Sequence, residues 1–177
     1  MTTAMLIIDV QQALCSGEYE CFEIGRVINT INDLSARARK ASVPVVLIQH
    51  EETGNPLAHG APGWQLAEGL ETSPKDHRLR KTAGDSFYQT DLKKLLAKEG
   101  IERLVICGLQ TDYCVNATVR QALKLGYDVV LAGDAHSTVD NGNQTAEDII
   151  AEHNKDLAHL TGSVARIDVV PAKDIHF

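Results

Sequence analysis

Short apolar runs alternate along the chain with segments in which apolar residues recur every three or four positions. A continuous run of Val, Ile and Leu is typical of a strand that is buried on both faces of a sheet. The runs predict strands at 4–9, 43–49, 103–108, 128–132 and 164–170, and a shorter segment predicts one more at 77–80. We therefore expect a sheet whose strands are mostly parallel and buried.

The segments between the runs have the spacing of amphipathic helices. They predict a helix at 24–34, one from Leu92 that is closed by Gly100, one that ends at Gly126, and one at 146–160. Strands that alternate with helices indicate a doubly wound, mainly parallel sheet between two helix layers, which is a three-layer α/β/α sandwich of the Rossmann-like kind. In such folds ligands bind beyond the carboxyl ends of the strands.

The length of the chain predicts a single domain over residues 1–177, because a domain of this size buries a sizeable core. The composition, 44% hydrophobic and 23% charged residues, is that of a globular protein. Residues 51–76 carry several glycines and prolines and have no clear periodicity. A loop this long in a compact domain is usually a lid or a binding segment. A contact between subunits is the alternative for this loop.

Charge and hydropathy exclude two classes of partner. The net charge is −7 and the Lys and Arg residues are scattered, which argues against binding to nucleic acid. The longest apolar runs are far shorter than the roughly 20 residues that span a bilayer, which argues against a membrane partner. The N-terminus lacks the pattern of a secretory signal, so a cytoplasmic location is expected. The four cysteines form no C-x-x-C pair and are predicted to be free thiols.

Three side chains that carry catalytic chemistry follow predicted strands. Asp9 closes the first strand, Lys81 follows the strand at 77–80, and Cys114 follows the strand at 103–108. Each residue type has a common structural explanation, since acids form turns, lysines lie at surfaces and free cysteines are often buried. The carboxyl ends of parallel strands meet at one edge of a sheet, however, and this is where the fold places its sites. We therefore predict that the three form a catalytic group.

Cys114 is the candidate nucleophile. Residues 108–120 are predicted to form a turn that leads from a strand into a helix, with Cys114 in its first turn and Thr111 or Asp112 as the N-cap. The helix dipole and the nearby Lys81 are expected to lower the pKa of the thiol. Asp9 is expected to take the thiol proton and to pass it to a departing nitrogen.

Three motifs resemble those of the isochorismatase-like cysteine hydrolases. They are D-V-Q at 9–11, R-K-T-A-G-D-S-F at 80–87 and G-L-Q-T-D-Y-C-V-N-A-T at 108–118, and the resemblance extends over residues 5–170. It implies the same three-layer fold and the roles of catalytic acid, lysine and nucleophile for Asp9, Lys81 and Cys114.

The resemblance also bears on the stabilisation of an oxyanion. It implies a cis peptide bond between Leu109 and Gln110. The backbone amides of Gln110 and Cys114 would then bind the oxyanion that forms when the thiolate attacks a carbonyl.

A metal and a cofactor are not expected. Nicotinamidases of the family carry an Asp-x-His metal motif beyond the second strand, whereas residues 48–54 of this chain are I-Q-H-E-E-T-G. His50, Glu52 and His59 are conceivable ligands, but histidines and acids in loops are commonly solvated groups. We therefore predict a reaction without metal.

Four further side chains are candidates for binding the substrate. They are Trp64, Phe87, Tyr113 and His136. Aromatic side chains pack in cores more often than they recognise ligands, so packing is the alternative for each.

The predicted function is hydrolysis of the C–N bond of a small carboxamide or ureide through a thioester on Cys114. Hydrolysis of a vinyl ether by acid catalysis from Asp9 is an alternative within the same fold. A binding or redox-sensing module with Cys114 as a reactive thiol is an alternative from another class. A homo-oligomer is expected because members of the family usually assemble.

Overall fold

A six-stranded parallel sheet forms the centre of the computed structural model, which describes residues 1–160 and 164–177. The strands lie in the order β3-β2-β1-β4-β5-β6, and each adjacent pair is parallel. They are β1 Thr3–Ile8, β2 Val45–His50, β3 His77–Lys81, β4 Arg103–Leu109, β5 Asp128–Ser137 and β6 Ile167–Val170. Strand order reverses between β1 and β4, so the carboxyl ends of these two strands mark the expected binding crevice.

The predicted helices are present between the strands. The α-helices are α1 Gln12–Cys15, α2 Ile24–Lys40, α3 Leu92–Lys98, α4 Asn116–Lys124 and α5 Ala146–Ala158. A π-helical turn at Thr111–Val115 leads into α4, and 3-10 turns lie at Gly17–Tyr19, Pro62–Trp64 and Ala172–Asp174. Among the described residues, none of the helices has the length and apolar character needed to cross a bilayer.

The helices cover both faces of the sheet and enclose two cores. On one face, α2 buries Val27, Ile31 and Leu34 against β1, β2 and β4. On the other face, α3, α4 and α5 bury residues such as Leu96 and Val119. Burial of this apolar surface on both sides of the central strands is what makes their sequences continuously apolar. The predicted three-layer α/β/α fold is therefore confirmed.

Two strands differ from the prediction by three or more residues at one end. β5 continues to Ser137, beyond the predicted end at residue 132, and β6 begins at Ile167 rather than at residue 164. The extension of β5 contains a bulge, because Ile106 pairs with Leu131 while Gly108 pairs with His136. Glycine and aspartate within the extension resemble a turn in sequence, so only the pairing with β4 shows that the strand resumes.

Gly108 lies where β4 passes unusually close to β1. Its φ is +116°, and a Cβ atom at this position would lie 2.6 Å from the backbone nitrogen of Ile8. No side chain fits this distance, and a φ of +116° lies outside the left-handed region that some other residues tolerate. The glycine thus permits the strand contact immediately below the carboxyl ends of β1 and β4.

We predict that Gly108→Ala lowers the free energy of unfolding by about 3 kcal/mol or more, because the added methyl group forces β1 and β4 apart. Denaturant unfolding of the purified variant measures the effect. Gly25→Ala is the matched control, since Gly25 lies in α2 with open space around it and alanine favours a helix. Equal stabilities of the two variants would contradict the prediction.

Candidate active site

The structure brings Asp9, Lys81 and Cys114 together beyond the carboxyl ends of β1, β3 and β4. The Nζ atom of Lys81 lies 2.7 Å from Oδ2 of Asp9 and 3.2 Å from Sγ of Cys114. A carboxylate oxygen of Asp9 lies within 4.8 Å of the same sulfur. The three side chains that the sequence singled out therefore form one contiguous group.

Local backbone conformation directs each of these side chains. Asp9 follows β1 with a φ of +51°, a left-handed conformation that aspartate tolerates better than most residues. Lys81 is the last residue of the edge strand β3, and its side chain reaches past the end of β2 toward β1. Cys114 lies within the π-helical turn that follows β4.

The lysine is fully enclosed and fully bonded. The side chain of Lys81 is 0% exposed and that of Asp9 is 1% exposed. In addition to its contacts with Asp9 and Cys114, the Lys81 ammonium lies 3.1 Å from the carbonyl oxygen of Ala83 and 3.3 Å from Nδ1 of His50. Burying a charge is costly unless it is paired and hydrogen-bonded, and this network supplies both conditions. Burial alone lowers the pKa of Lys81, but the Asp9 carboxylate and the Cys114 sulfur outweigh it and hold that pKa above its usual value.

Cys114 is a neutral thiol in the resting site. Burial, and then the charge of Asp9, raise its pKa to about 12, while Lys81 acts in the opposite direction. The prediction of a lowered thiol pKa is therefore wrong, because it took account of the lysine and the helix end but not of the buried carboxylate. Attack by the sulfur then requires a base that accepts the proton as the reaction proceeds.

Asp9 has a free acceptor atom for this task. Its Oδ2 is bonded to Lys81, whereas the buried Oδ1 has no hydrogen-bond partner among the described residues. A buried acceptor without a partner is uncommon and indicates strain, a missing ligand or a catalytic use. Proximity to the Cys114 sulfur favours catalytic use.

The turn that carries Cys114 is held by one side chain from β5 and one from the residue that follows β5. Thr111 Oγ1 lies 2.8 Å from Nδ1 of His136, and Asp112 accepts a hydrogen bond of 2.7 Å from the Thr138 hydroxyl. The prediction that Thr111 or Asp112 caps the helix is wrong, because both side chains bond to residues 136 and 138 instead and neither caps the backbone. The regular helix α4 begins only at Asn116.

The backbone at Gln110 has the geometry that the resemblance implies. The peptide bond between Leu109 and Gln110 is cis. The Gln110 carbonyl accepts hydrogen bonds from the amides of Tyr113 and Val115, which closes the turn around the nucleophile.

His136 lies beneath the site and not at its wall. It is 1% exposed, and its two ring nitrogens are bonded to Thr111 and to Asn154. The Asn154 amide donates to the Gly133 carbonyl, so its oxygen accepts from Nε2 of His136 and Nδ1 of His136 accepts from Thr111. Burial lowers the pKa of His136 to about 4. His136 thus supports the nucleophile turn as a neutral group.

The three aromatic candidates lie in different surroundings. Trp64 is half-buried and contacts the ring of His59 edge-on at 4.6 Å, and its buried Nε1 has no partner among the described residues. Phe87 packs in the core against Tyr127, with ring centroids 5.9 Å apart. Tyr113 is 63% exposed beside the nucleophile. A direct contact with substrate is open to Trp64 and Tyr113, whereas Phe87 is a packing residue.

Two polar residues of the site were not assigned by the sequence. Gln11 is buried, and its side chain bonds to both the backbone amide and the carbonyl of His50 and also to the carbonyl of Trp64. His50 contacts Lys81, although the sequence suggested only metal binding for it. The D-V-Q motif contains Gln11 and so carried a signal for the first residue. The contact of His50 with Lys81 could be predicted only from the register of β2 and β3, in which these two residues pair.

The conceivable metal ligands are not gathered into one site. Glu52 accepts a hydrogen bond from Asn55, and the ring of His59 contacts Arg80. Within the described residues, Asp9, His50 and Cys114 do place donor atoms within 4.8 Å of one another. The Lys81 ammonium, however, contacts all three of these side chains. A divalent cation would have to displace this charge, so these residues fit a lysine-centred site better than a metal.

The family model of the isochorismatase domain matches residues 3–161 of the chain. The chain belongs to the isochorismatase family. A solved isochorismatase family protein has the same fold, with a TM-score of 0.88 and 36% sequence identity over 96% of this chain and 98% of that one.

Some relatives of this isochorismatase-family chain are named as hydrolases. It is 44% identical over 140 residues to a streptothricin hydrolase from Streptomyces noursei, a match that covers 77% of this chain and 50% of the relative. It is 28% identical over 170 residues to a ureidoacrylate amidohydrolase from Pseudomonas savastanoi pv. phaseolicola, covering 75% of this chain and 69% of the relative. The chain spans about half the length of the streptothricin hydrolases that it matches.

We predict opposite effects of two substitutions on alkylation of Cys114. Asp9→Asn should accelerate its reaction with iodoacetamide, because the carboxylate raises the thiol pKa. Lys81→Met should slow it, because the ammonium lowers that pKa. Each pKa unit changes the thiolate population by about tenfold. Labelling at neutral pH followed by peptide mass spectrometry measures both rates.

Cys15 provides an internal control for this labelling. It is a half-exposed thiol whose pKa burial raises to about 12, and it lies outside the group around Lys81. Its labelling rate should be the same in both variants. A rate for Cys114 that moves in the same direction in both variants would show that folding, and not charge, controls the reaction.

We predict that burial of neutral His136 makes the protein sensitive to acid. As the pH falls from about 6.5 to about 4, the unfolded chain binds a proton that the folded chain excludes, so the free energy of unfolding decreases by about 3 kcal/mol. His136→Gln should lower stability near neutral pH but flatten this part of the pH dependence. Urea unfolding over this pH range measures both effects.

The exposed His159 supplies the control, because His159→Gln also removes one imidazole. A pH dependence that His136→Gln and His159→Gln alter equally would contradict the assignment to His136.

Proposed function

We propose that the protein hydrolyses the C–N bond of a small carboxamide or ureide through a thioester on Cys114. The observation that carries the proposal is the contact of a thiol and a carboxylate with one buried ammonium, at 3.2 and 2.7 Å. Membership of the isochorismatase family and relatives named as streptothricin hydrolase and ureidoacrylate amidohydrolase support amide chemistry.

In the first step the sulfur of Cys114 attacks the carbonyl carbon while Oδ1 of Asp9 accepts the thiol proton. A C–S bond forms and the carbonyl electrons move to oxygen, giving a tetrahedral oxyanion. The oxyanion collapses, the C–N bond breaks, and protonated Asp9 donates its proton to the departing nitrogen. Ammonia or an amine leaves, and the acyl group remains on sulfur.

In the second step the Asp9 carboxylate accepts a proton from water as the water oxygen attacks the thioester carbon. The C–S bond breaks, the carboxylic acid is released, and Asp9 returns its proton to the sulfur. The site thereby regains its resting state of neutral thiol, carboxylate and ammonium. One residue acts as base and then as acid in each half of the reaction.

Lys81 stabilises negative charge during both steps. Its ammonium contacts the atoms that carry this charge in turn, Oδ2 of Asp9 in the resting state and Sγ of Cys114 during attack. The backbone amides of Gln110 and Cys114 are proposed to bind the oxyanion. Charge therefore moves between groups that are already in place, which limits reorganisation in the transition state.

Several other properties of the protein stay predictions. The reaction is predicted to need no metal and no cofactor. The protein is predicted to be a cytoplasmic homo-oligomer without nucleic-acid or membrane partners. The lysine-centred charge distribution supports the first of these, since the ammonium already neutralises the carboxylate.

Substrate turnover and one substitution test the proposal. The panel consists of streptothricin, ureidoacrylate, simple primary carboxamides and isochorismate, with products identified by mass spectrometry. We expect turnover of at least one amide or ureide, and a loss of about 10³-fold or more in Cys114→Ala, because the covalent route is then closed. Cys15→Ala is the matched control and should retain activity, since Cys15 lies outside the catalytic group.

The alternatives give different results in the same assay. Hydrolysis of isochorismate that survives Cys114→Ala but not Asp9→Asn would replace the proposal with acid catalysis of vinyl-ether cleavage. A chain that turns over no member of the panel, while Cys114 is reversibly oxidised by dilute peroxide, would favour a redox-sensing module.

A further inference from the structure

We propose that His50 is a positioning residue of the catalytic site, a neutral imidazole that holds the Lys81 ammonium through Nδ1 while the sulfur is acylated. The inference rests on the proposed function and extends it to a fourth side chain. It begins from the 3.3 Å contact between Nδ1 of His50 and Nζ of Lys81, which the mechanism above does not use.

Strand register places His50 where it contacts the ammonium. His50 is the last residue of β2 and pairs with Lys81, the last residue of β3. β2 lies between β1 and β3, so the imidazole lies between the strand that leads to Asp9 and the strand that carries the lysine. Gln11 fixes the His50 backbone with hydrogen bonds of 2.8 and 2.9 Å. The ring is thus attached to a rigid part of the sheet.

The ammonium has more acceptors than protons in the resting site. Its three N–H groups face four acceptors, which are Oδ2 of Asp9, the carbonyl of Ala83, Sγ of Cys114 and Nδ1 of His50. His50 provides the longest of these contacts, so in the resting site it is the weakest of the four acceptors and serves as a reserve acceptor when another one is lost.

The reserve acceptor is needed once the reaction starts. In the tetrahedral intermediate the Cys114 sulfur is bonded to carbon and has lost most of its strength as a hydrogen-bond acceptor. Protonation of Asp9 removes its charge at the same stage. The Lys81 ammonium then lies in a buried site with two weakened partners, and a buried cation without partners is costly. Nδ1 of His50 and the Ala83 carbonyl are the two acceptors that keep their strength throughout.

The same contact defines the protonation state of the imidazole. A lone pair on Nδ1 attracts the ammonium, whereas an N–H group there would repel it, so the neutral ring carries its proton on Nε2. Burial and then Lys81 lower the pKa of His50, and the carboxylates of Asp9 and Glu52 and the backbone of Ala83 partly oppose them. The charged and titratable groups that face the ring are Lys81 on β3, Asp9 after β1, Cys114 in the π-helical turn and Glu52 in the following loop.

The sign of the pH effect follows from this contact. Below its lowered pKa the imidazole gains a second proton, loses its acceptor atom and adds a positive charge beside Lys81. Activity should therefore fall as the pH decreases through the pKa of His50, which lies below its usual value of 6.5.

Two substitutions separate positioning from packing. In His50→Asn the side-chain oxygen is as many bonds from Cα as Nδ1 is, so it can accept from Lys81 without titrating. His50→Leu fills similar space and accepts nothing. We expect His50→Asn to keep kcat/KM within about threefold at neutral pH and to lose the part of the acid limb that belongs to His50. We expect His50→Leu to lose kcat by about tenfold or more at every pH.

Nitrogen NMR of the histidine rings tests the contact without any substrate. The wild-type protein should show His50 with the proton on Nε2, and Lys81→Met should raise the pKa of His50 because the neighbouring cation is gone. A proton on Nδ1, or equal activities of His50→Asn and His50→Leu, would overturn the inference. If the NMR result is as expected but no amide is hydrolysed, the proposed function fails while the contact stands, so the two failures are distinguishable.

Discussion

The buried ion pair between Lys81 and Asp9 is the interaction on which the rest of the site depends. Both side chains are almost fully enclosed, and removing either would leave an uncompensated charge inside the protein. The pair joins the edge strand β3 to the central strand β1 across the end of β2. The pair therefore fixes the positions of the carboxyl ends of β1, β2 and β3 relative to one another. The close approach of Gly108 to Ile8 fixes the end of β4 relative to that of β1.

The ion pair also determines the chemical state of the nucleophile. In many cysteine enzymes a positive neighbour produces a preformed thiolate. Here the positive neighbour is already neutralised by a carboxylate, and burial disfavours a further charge, so the thiol of Cys114 keeps its proton. The carboxylate that disfavours ionisation of the thiol is the same group that we propose accepts its proton during attack. Reactivity is thereby confined to the moment when a carbonyl carbon is available to the sulfur.

Much of this arrangement is predictable from the sequence because it depends on the ends of strands. The apolar runs locate the strands, a parallel sheet brings their carboxyl ends to one edge, and Asp9, Lys81 and Cys114 follow three of those ends. The π-helical turn and the extension of β5 depend instead on contacts between distant segments. Thr111 is a good N-cap by composition, but its hydroxyl bonds to His136, which lies on another strand. A local rule does not anticipate this choice.

The same distinction explains why the chemistry is easier to infer than the substrate. The catalytic groups lie at the ends of strands, where burial and register restrict what the sequence can be. The loop at 51–76 is attached to the sheet in part through backbone atoms. The carbonyl of Trp64 accepts hydrogen bonds from the side chains of both Gln11 and Gln49. A backbone carbonyl is present whatever the side chain, so these two hydrogen bonds do not depend on the identity of residue 64. Side chains elsewhere in the loop are thus the place where substrate recognition can vary while the proposed catalytic group stays in place.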